Sequence, residues 1–418
     1  MKFGAPPRAR IAGPRALGHD PVAPRKNTGE ATMSNDRQPS HPTLLAAREF
    51  NRRTLLKAGA AAAAISAVGP WYARGALASS GEVRIFAWAG YFDDATLARF
   101  QKDTGIKPVY VPFATNDEQL NQLRASGGEG FDIIMPTVDR MPNFVELGYV
   151  QPIDEKRVQM DRIIPSAISG SAETGGVVDG KRYFAPTHWG TEAIAFDRKK
   201  APLKYGASLG DLWKPEYAGK VTLRGHSGLA GIGRWMEAQG KLPHPFRKGF
   251  TDEAAMRANW DEILKVAIAN KKSVGQFWSS ANEALGAFQA NGCVIGQSWD
   301  ETAVALRDQG LDIGYVAPAE GAFAWMEGYG ILKNAKNVEQ AYAWINHFLK
   351  PEVGAAFAAG KGTNAVAIGA EQHLPEKAKA FFAEAFPGDA LQKLWWWPVQ
   401  PSWYVSLRNE YADKYLAA

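Results

Sequence analysis

Val83-Arg84-Ile85-Phe86-Ala87-Trp88, then residues 94–104 closed by Gly105, then Pro108-Val109-Tyr110-Val111-Pro112-Phe113: this run decides the fold class. The first and third pieces are short, apolar and of strand length. Between them Leu97 and Phe100 share one helical face, and Gly105 supplies the stop. The pattern repeats at once, with a helix expected near residues 118–125 and a strand over Phe131-Asp132-Ile133-Ile134-Met135. Strand–helix alternation of this kind implies an α/β sheet whose ligands bind outside the carboxyl ends of its strands.

Further along, residues 189–197 read as a strand leading out of this first unit. Residues 220–224 form another strand, 231–239 a helix and 294–299 a buried strand. Residues 313–318 are expected to return the chain to the first lobe. From Val338 onward the patterns are helical, punctuated by Pro351, Pro375, Pro387 and Pro398. There are no internal repeats.

Upstream, Arg52-Arg53-Thr54-Leu55-Leu56-Lys57 precedes an alanine-rich run over residues 58–68 and the small-x-small site Ala76-Leu77-Ala78. Charged region, apolar region and cleavage site stand in the order of an export signal. The apolar run is too short for a span that needs roughly 20 residues. The arginine pair resembles a twin-arginine signal, so cleavage is expected after Ala78 and the mature protein in the periplasm. Residues 1–50, rich in Pro, Arg and Gly, read as a disordered extension, with Met33 an alternative start.

The chain has 48 basic and 43 acidic residues, but residues 1–78 hold 12 and 4 of them, leaving a net charge of −3 beyond the signal. The overall basicity therefore belongs to the leader and gives no support to nucleic-acid binding. Two lobes are expected at this length: residues 79–188 with 323–370, and 189–322 with 371–418. Cys293, the single cysteine, excludes an intramolecular disulfide and reads as an inert buried thiol. His188, His226, His244, His347 and His373 show no metal-ligand spacing, and neither a metal nor a cofactor is expected.

Several segments resemble the spermidine/putrescine-binding periplasmic proteins of ABC importers. They are Phe86-Ala87-Trp88-Ala89-Gly90-Tyr91, the run from Phe131 to Thr137, the run from Tyr183 to Gly190, Asp211-Leu212-Trp213-Lys214-Pro215-Glu216-Tyr217, and the run from Glu320 to Glu327. The resemblance implies a two-lobed, type II periplasmic binding protein fold with two crossing strands as hinge. It also implies a membrane permease as partner, a monomer, and no catalysis. Aromatic residues at Trp88, Tyr91, Trp299 and Trp325 are implied to sandwich an alkyl-amine, with Glu327 taking an ammonium. Independently, aromatic faces and carboxylates are the groups that hold a dehydrated cation, and Thr137, Asp139 and Asp300 fall close to those aromatics in the pattern.

The chain also departs from that family. Gly90 stands where the family has an acid, the loop Arg224-Gly225-His226-Ser227-Gly228-Leu229 lacks the family's carboxylates, and Asp139 replaces a tyrosine. A later aromatic position of the family falls near Lys361-Gly362-Thr363, where this chain runs shorter. Arg224 before a glycine-rich helix start makes an anion site, since first-turn N–H groups lack intrahelical acceptors. The expected solute is a polyamine or a related small amine, and the alternative is one with an amine at one end and an acceptor or anion at the other. Two other classes compete with this reading. An exported enzyme finds only Gly225-His226-Ser227-Gly228-Leu229, an imperfect nucleophile elbow, and Glu192, assigned a structural role beside a crossing strand. A sugar or anion binder on the same fold would use the tryptophans as stacking faces.

Overall fold

The computed structural model describes residues 81–418; the export segment, its cleavage site and the alternative start at Met33 lie outside the described residues. The principal strands are β1 (Glu82–Trp88), β2 (Lys107–Phe113), β3 (Ile133–Ile134), β4 (Ala185–Asp197), β5 (Val221–Arg224), β6 (Val274–Trp278), β7 (Ile295–Trp299), β8 (Ile313–Val316) and β9 (Phe323–Leu332). They follow one another laterally as β2-β1-β3-β9-β4-β7-β5-β6, with β8 also paired to β4. Strand β1 runs parallel to β2 and β3, and β5 runs parallel to β6 and β7. The two parallel groups are joined by the antiparallel pair β4 and β9.

Helix α1 (Asp94–Thr104) starts where Asp93 accepts from the Thr96 N–H at 2.8 Å and ends at Gly105, whose φ of 73° suits a residue without Cβ. Helix α2 (Asn116–Ser126) is capped in the same way by Thr115 and Gly127. Both ends agree with the sequence pattern to within a residue or two. Such caps return the chain to the sheet at defined points, so each parallel strand delivers its carboxyl end to one edge.

Hydrophobic burial falls into separate clusters. One holds Phe86, Ile133, Phe144, Tyr329 and Trp344 around β1, β2 and β3. Another holds Leu223, Trp260, Tyr404 and Tyr415 around β5 and β7, flanked by a smaller group including Tyr315 and Phe381. The two long strands feed both sides: β4 places Ala185 in the first core and Ile194 and Phe196 in the second, while β9 places Phe323 in the second and Tyr329 and Ile331 in the first.

Two details differ from the sequence reading. The chain returns to the first core through β9, because residues 313–316 only flank β4 as an antiparallel neighbour. Helix α3 (Gly225–Ala238) begins directly after Arg224, six residues before the start expected from the pattern. Its glycines mask helical propensity, yet the packing requires them: a Cβ on Gly233 would stand 2.7 Å from Phe246 and 2.8 Å from Ile263. Cys293 is buried as expected, with burial pushing its thiol up to about 11. No helix among the described residues is long and apolar enough to cross a membrane.

Candidate ligand-binding site

Six chain segments just past parallel strand ends converge on one cavity of about 580 Å³. They are Trp88–Tyr91 after β1, Phe113–Asp117 after β2, Thr137–Arg140 after β3, Arg224–His226 after β5, Trp278–Glu283 after β6, and Trp299 with Glu301 after β7. Glu192 of β4, and Trp325 and Glu327 of β9, complete the wall between them. Strand polarity thus places the site where an α/β sheet exposes free backbone ends.

Trp88, Tyr91, Thr137, Asp139, Arg224, Trp299, Trp325 and Glu327 all line this cavity. Asp300 does not. Its Oδ2 accepts from the Thr191 N–H at 2.7 Å and its Oδ1 from the Glu301 N–H at 3.0 Å, which ties β4 to the start of helix α4 (Asp300–Asp308). The next residue around the helix, Glu301, faces the cavity in its place.

One end is acidic and aromatic. Glu327 is 3 % exposed, and its Oε2 accepts no hydrogen bond. A register shift between Glu327 and Gly328 aims that side chain out of the ladder; a Cβ on Gly328 would overlap the Ala185 carbonyl. His188 Nε2 lies 3.2 Å from Glu327 Oε2, but burial, aided by Lys361, lowers the imidazole to about 3, so it stays neutral and the contact is no ion pair. Burial also pushes the Glu327 carboxyl well above its ordinary value, and burial together with Glu327 raises Glu301 to about 8. Two carboxyl groups therefore share this end; Lys361 acts on Glu301, and among the described residues no cation pairs with Glu327. The rings of Trp88, Tyr91 and Trp325 surround them, and Gly190 leaves room for Trp325, whose indole a Cβ there would overlap.

At the far side the Arg224 guanidinium carbon lies 4.9 Å from the Trp299 ring centre and 5.5 Å from that of Trp278. The two indoles pack edge to face at 4.7 Å. Glu192, assigned a structural role from the sequence, lines the cavity here instead. Its Oε1 accepts from Gln297 Nε2 at 2.9 Å, and burial raises its carboxyl.

Along a third wall runs a polar network invisible to the sequence pattern. Gln400 Nε2 donates to Asp139 Oδ2 at 2.8 Å, and Arg408 Nη1 donates to Gln400 Oε1 at 2.6 Å. Asp117 pairs with Arg140 at 2.7 Å and with Arg408 at 3.3 Å. Burial raises Asp117, yet those two arginines outweigh it and hold the carboxyl at about 2. Asp139, read from the sequence as a ligand anchor, thus lines the cavity with one oxygen already engaged. Trp278, Glu301, Gln400 and Arg408 were missed; the strand-length run Val274-Gly275-Gln276-Phe277-Trp278 was the one local sign of the first.

Two lobes joined by two crossing strands, with a preformed aromatic and acidic cavity at the strand ends, define a binding protein for a small solute, of the type II periplasmic architecture. The chain belongs to the bacterial extracellular solute-binding protein family, whose model matches residues 95–381. It is 27% identical over 302 residues to the spermidine/putrescine-binding periplasmic protein of Escherichia coli, covering 72% of this chain and 80% of that one. With the protein of the same description from Salmonella typhimurium it shares 28% over 303 residues, at 72% and 80% coverage. The crystal structure of a spermidine/putrescine ABC transporter substrate-binding protein from Streptococcus pneumoniae superposes with a TM-score of 0.64 at 22% identity, covering 80% of this chain and 98% of that one.

Proposed function

We propose that this protein is the periplasmic substrate-binding component of an ABC importer for polyamines or a related small amine-bearing solute, delivering it to a membrane permease. The observation that carries the reading is Glu327: a buried carboxyl touched by Tyr91 and a neutral His188 but paired with no cation among the described residues, facing a cavity walled by Trp88, Tyr91 and Trp325. An alkyl-ammonium would supply the missing partner, and the rings would shield its carbon chain from water. The names of the relatives in Escherichia coli and Salmonella typhimurium point to the same solute class.

The protein acts by binding and closure, without catalysis and as a monomer. In support, Ser227 of the elbow-like loop is buried inside the first turn of α3 and outside the cavity lining. The lobes are residues 79–188 with 323–370 and 189–322 with 371–418, a division that the hydrophobic clusters support except at Phe323, which packs in the second. Export by the twin-arginine route with cleavage after Ala78 brings it to the periplasm, and N-terminal sequencing of exported protein is expected to begin at Ser79.

A thermal-shift screen against polyamines, amino acids and sugars, followed by calorimetry, tests the ligand class. A true ligand at 100 times its dissociation constant adds about 2.7 kcal/mol of stability. Stabilisation by sugars alone would overturn the amine reading.

A further inference from the structure

We infer that the end of the cavity around Arg224 is a subsite for a carboxylate, so that the preferred solute is an ω-amino acid rather than a diamine. This assignment rests on the amine reading of the Glu327 end and adds the identity of the opposite end.

The three arginines of the cavity differ in how they are satisfied. Arg140 bonds Asn143 at 2.8 Å and Asp117 at 2.7 Å, and Arg408 bonds Gln400, Asp117 and Asn409. Arg224 makes no ion pair and no side-chain hydrogen bond among the described residues; its only close partners are the faces of Trp299 and Trp278. The guanidinium carbon lies over both indoles, which pack edge to face, and no side chain among the described residues bonds its N–H donors. A planar fork of donors held in this way matches the two oxygens of a carboxylate.

The backbone adds to the same end. Arg224 occupies the N-cap position of the 14-residue helix α3 without a side-chain cap, and the next two residues, Gly225 and His226, line the cavity. Their N–H groups belong to the first turn, where no intrahelical acceptor exists and negative charge is favoured. Asp117, the second acid that acts on Arg224, is already paired with Arg140 and Arg408, while the first, Glu192, stands beyond ion-pair distance with one oxygen taken by Gln297. Glu192 offsets the charge of Arg224 through space without filling its hydrogen-bonding edge.

The two ends are well separated. Glu327 lies on β9 and Arg224 on β5, with β4 and β7 between them. Three strand spacings put the backbones about 14 Å apart, so the charges remain available to a solute that spans the cavity. An ammonium placed at Arg224 would instead meet a cation in a site that sheds water on closure.

Calorimetry of the mature protein with probes of matched length decides the matter: putrescine against 4-aminobutanoate, and cadaverine against 5-aminopentanoate. The amino acid of at least one pair is expected to bind tenfold or more tighter than its diamine. In Arg224→Gln, folded by its melting temperature, that preference disappears while the diamine binds as well or better. Tighter binding of both diamines, with Arg224→Gln leaving all affinities unchanged, would remove the carboxylate subsite and leave the amine reading standing. Failure of all four probes and of spermidine to bind would remove both.

Discussion

Glu327 and Gly190 show how much of the site hangs on single positions. Glu327 is aimed into the cavity by a bulge whose second residue must be glycine, and Trp325 lies where only glycine at 190 admits its ring. Gly190→Ala would bring a methyl group against the indole and within 2.9 Å of Asp300 Oδ1. Overpacking of that kind costs about 1–3 kcal/mol, and the displaced ring would intrude on the ligand. A lowered melting temperature together with at least tenfold weaker amine binding is expected; unchanged calorimetric affinity would show that Trp325 does not contact the ligand. Replacing Trp88, Trp299 or Trp325 singly with Ala is expected to weaken binding by about 1–3 kcal/mol, at Trp88 and Trp325 through lost cation–π and apolar contact and at Trp299 through lost packing against Arg224 and the ligand chain. Retained affinity in two of the three would reduce these rings to packing.

Between the elements, the C-terminal helix α5 (Ser402–Ala417) acts as a clasp. Its body packs through Tyr404, Leu407, Tyr411 and Tyr415 into the core around β5. Meanwhile Gln400, Ser402, Arg408 and Asn409 bond Asp139, Asn143, Glu146 and Asp117, which belong to the segments following β2 and β3. These bonds run beside the cavity, from the segments after β2 and β3 to a helix packed on the core around β5. Arg408→Ala would leave Asp117 to Arg140 and Asn409; truncating a buried charged partner of this kind typically costs about 2–5 kcal/mol. Faster ligand release in stopped-flow measurements is expected from Arg408→Ala, and a smaller effect from Gln400→Ala. Unchanged release with only a lower melting temperature would confine the network to holding the fold.

At the scale of the whole molecule, the acidic end couples binding to pH. The Glu301 carboxyl, raised to about 8, keeps its proton in the folded protein while the unfolded chain loses it near the usual carboxylate range. Its contribution to ligand-free stability is therefore fully present at low pH and is lost as pH rises toward 8. His188, lowered to about 3, acts in the opposite sense: its contribution is present above about 6.5 and is lost as pH falls toward 3. Glu301→Gln removes only the first of these, so the variant's stability relative to wild type should rise between pH 5 and 8. An ammonium paired with Glu301 requires that carboxyl ionised, so the one proton it releases should increase wild-type amine affinity by up to tenfold per pH unit up to about pH 8. Calorimetry in buffers of different ionisation enthalpy checks this, and an identical slope in Glu301→Gln would locate the proton elsewhere.

The alternation of strands and helices, the caps at Asp93 and Thr115 and the glycine stops are local matters, written within a few residues, and they determine the α/β class and the edge of the sheet that holds the site. Trp88, Tyr91 and Trp299 lie at or just past strand ends and line the cavity, as period and punctuation led one to expect; Trp325 lies within β9, and only the family resemblance singled it out. The assignment of each carboxylate needed the tertiary structure. Asp300 and Glu301 are adjacent, and only the approach of β4 decides which of them is tied to backbone and which faces the cavity. Asp139 is engaged by a glutamine 261 positions away, and Arg224 is stacked by a tryptophan from another strand. Local patterns carry no record of partners at such separation; their meeting is set by how the two cores pack and by the two strands that cross between them.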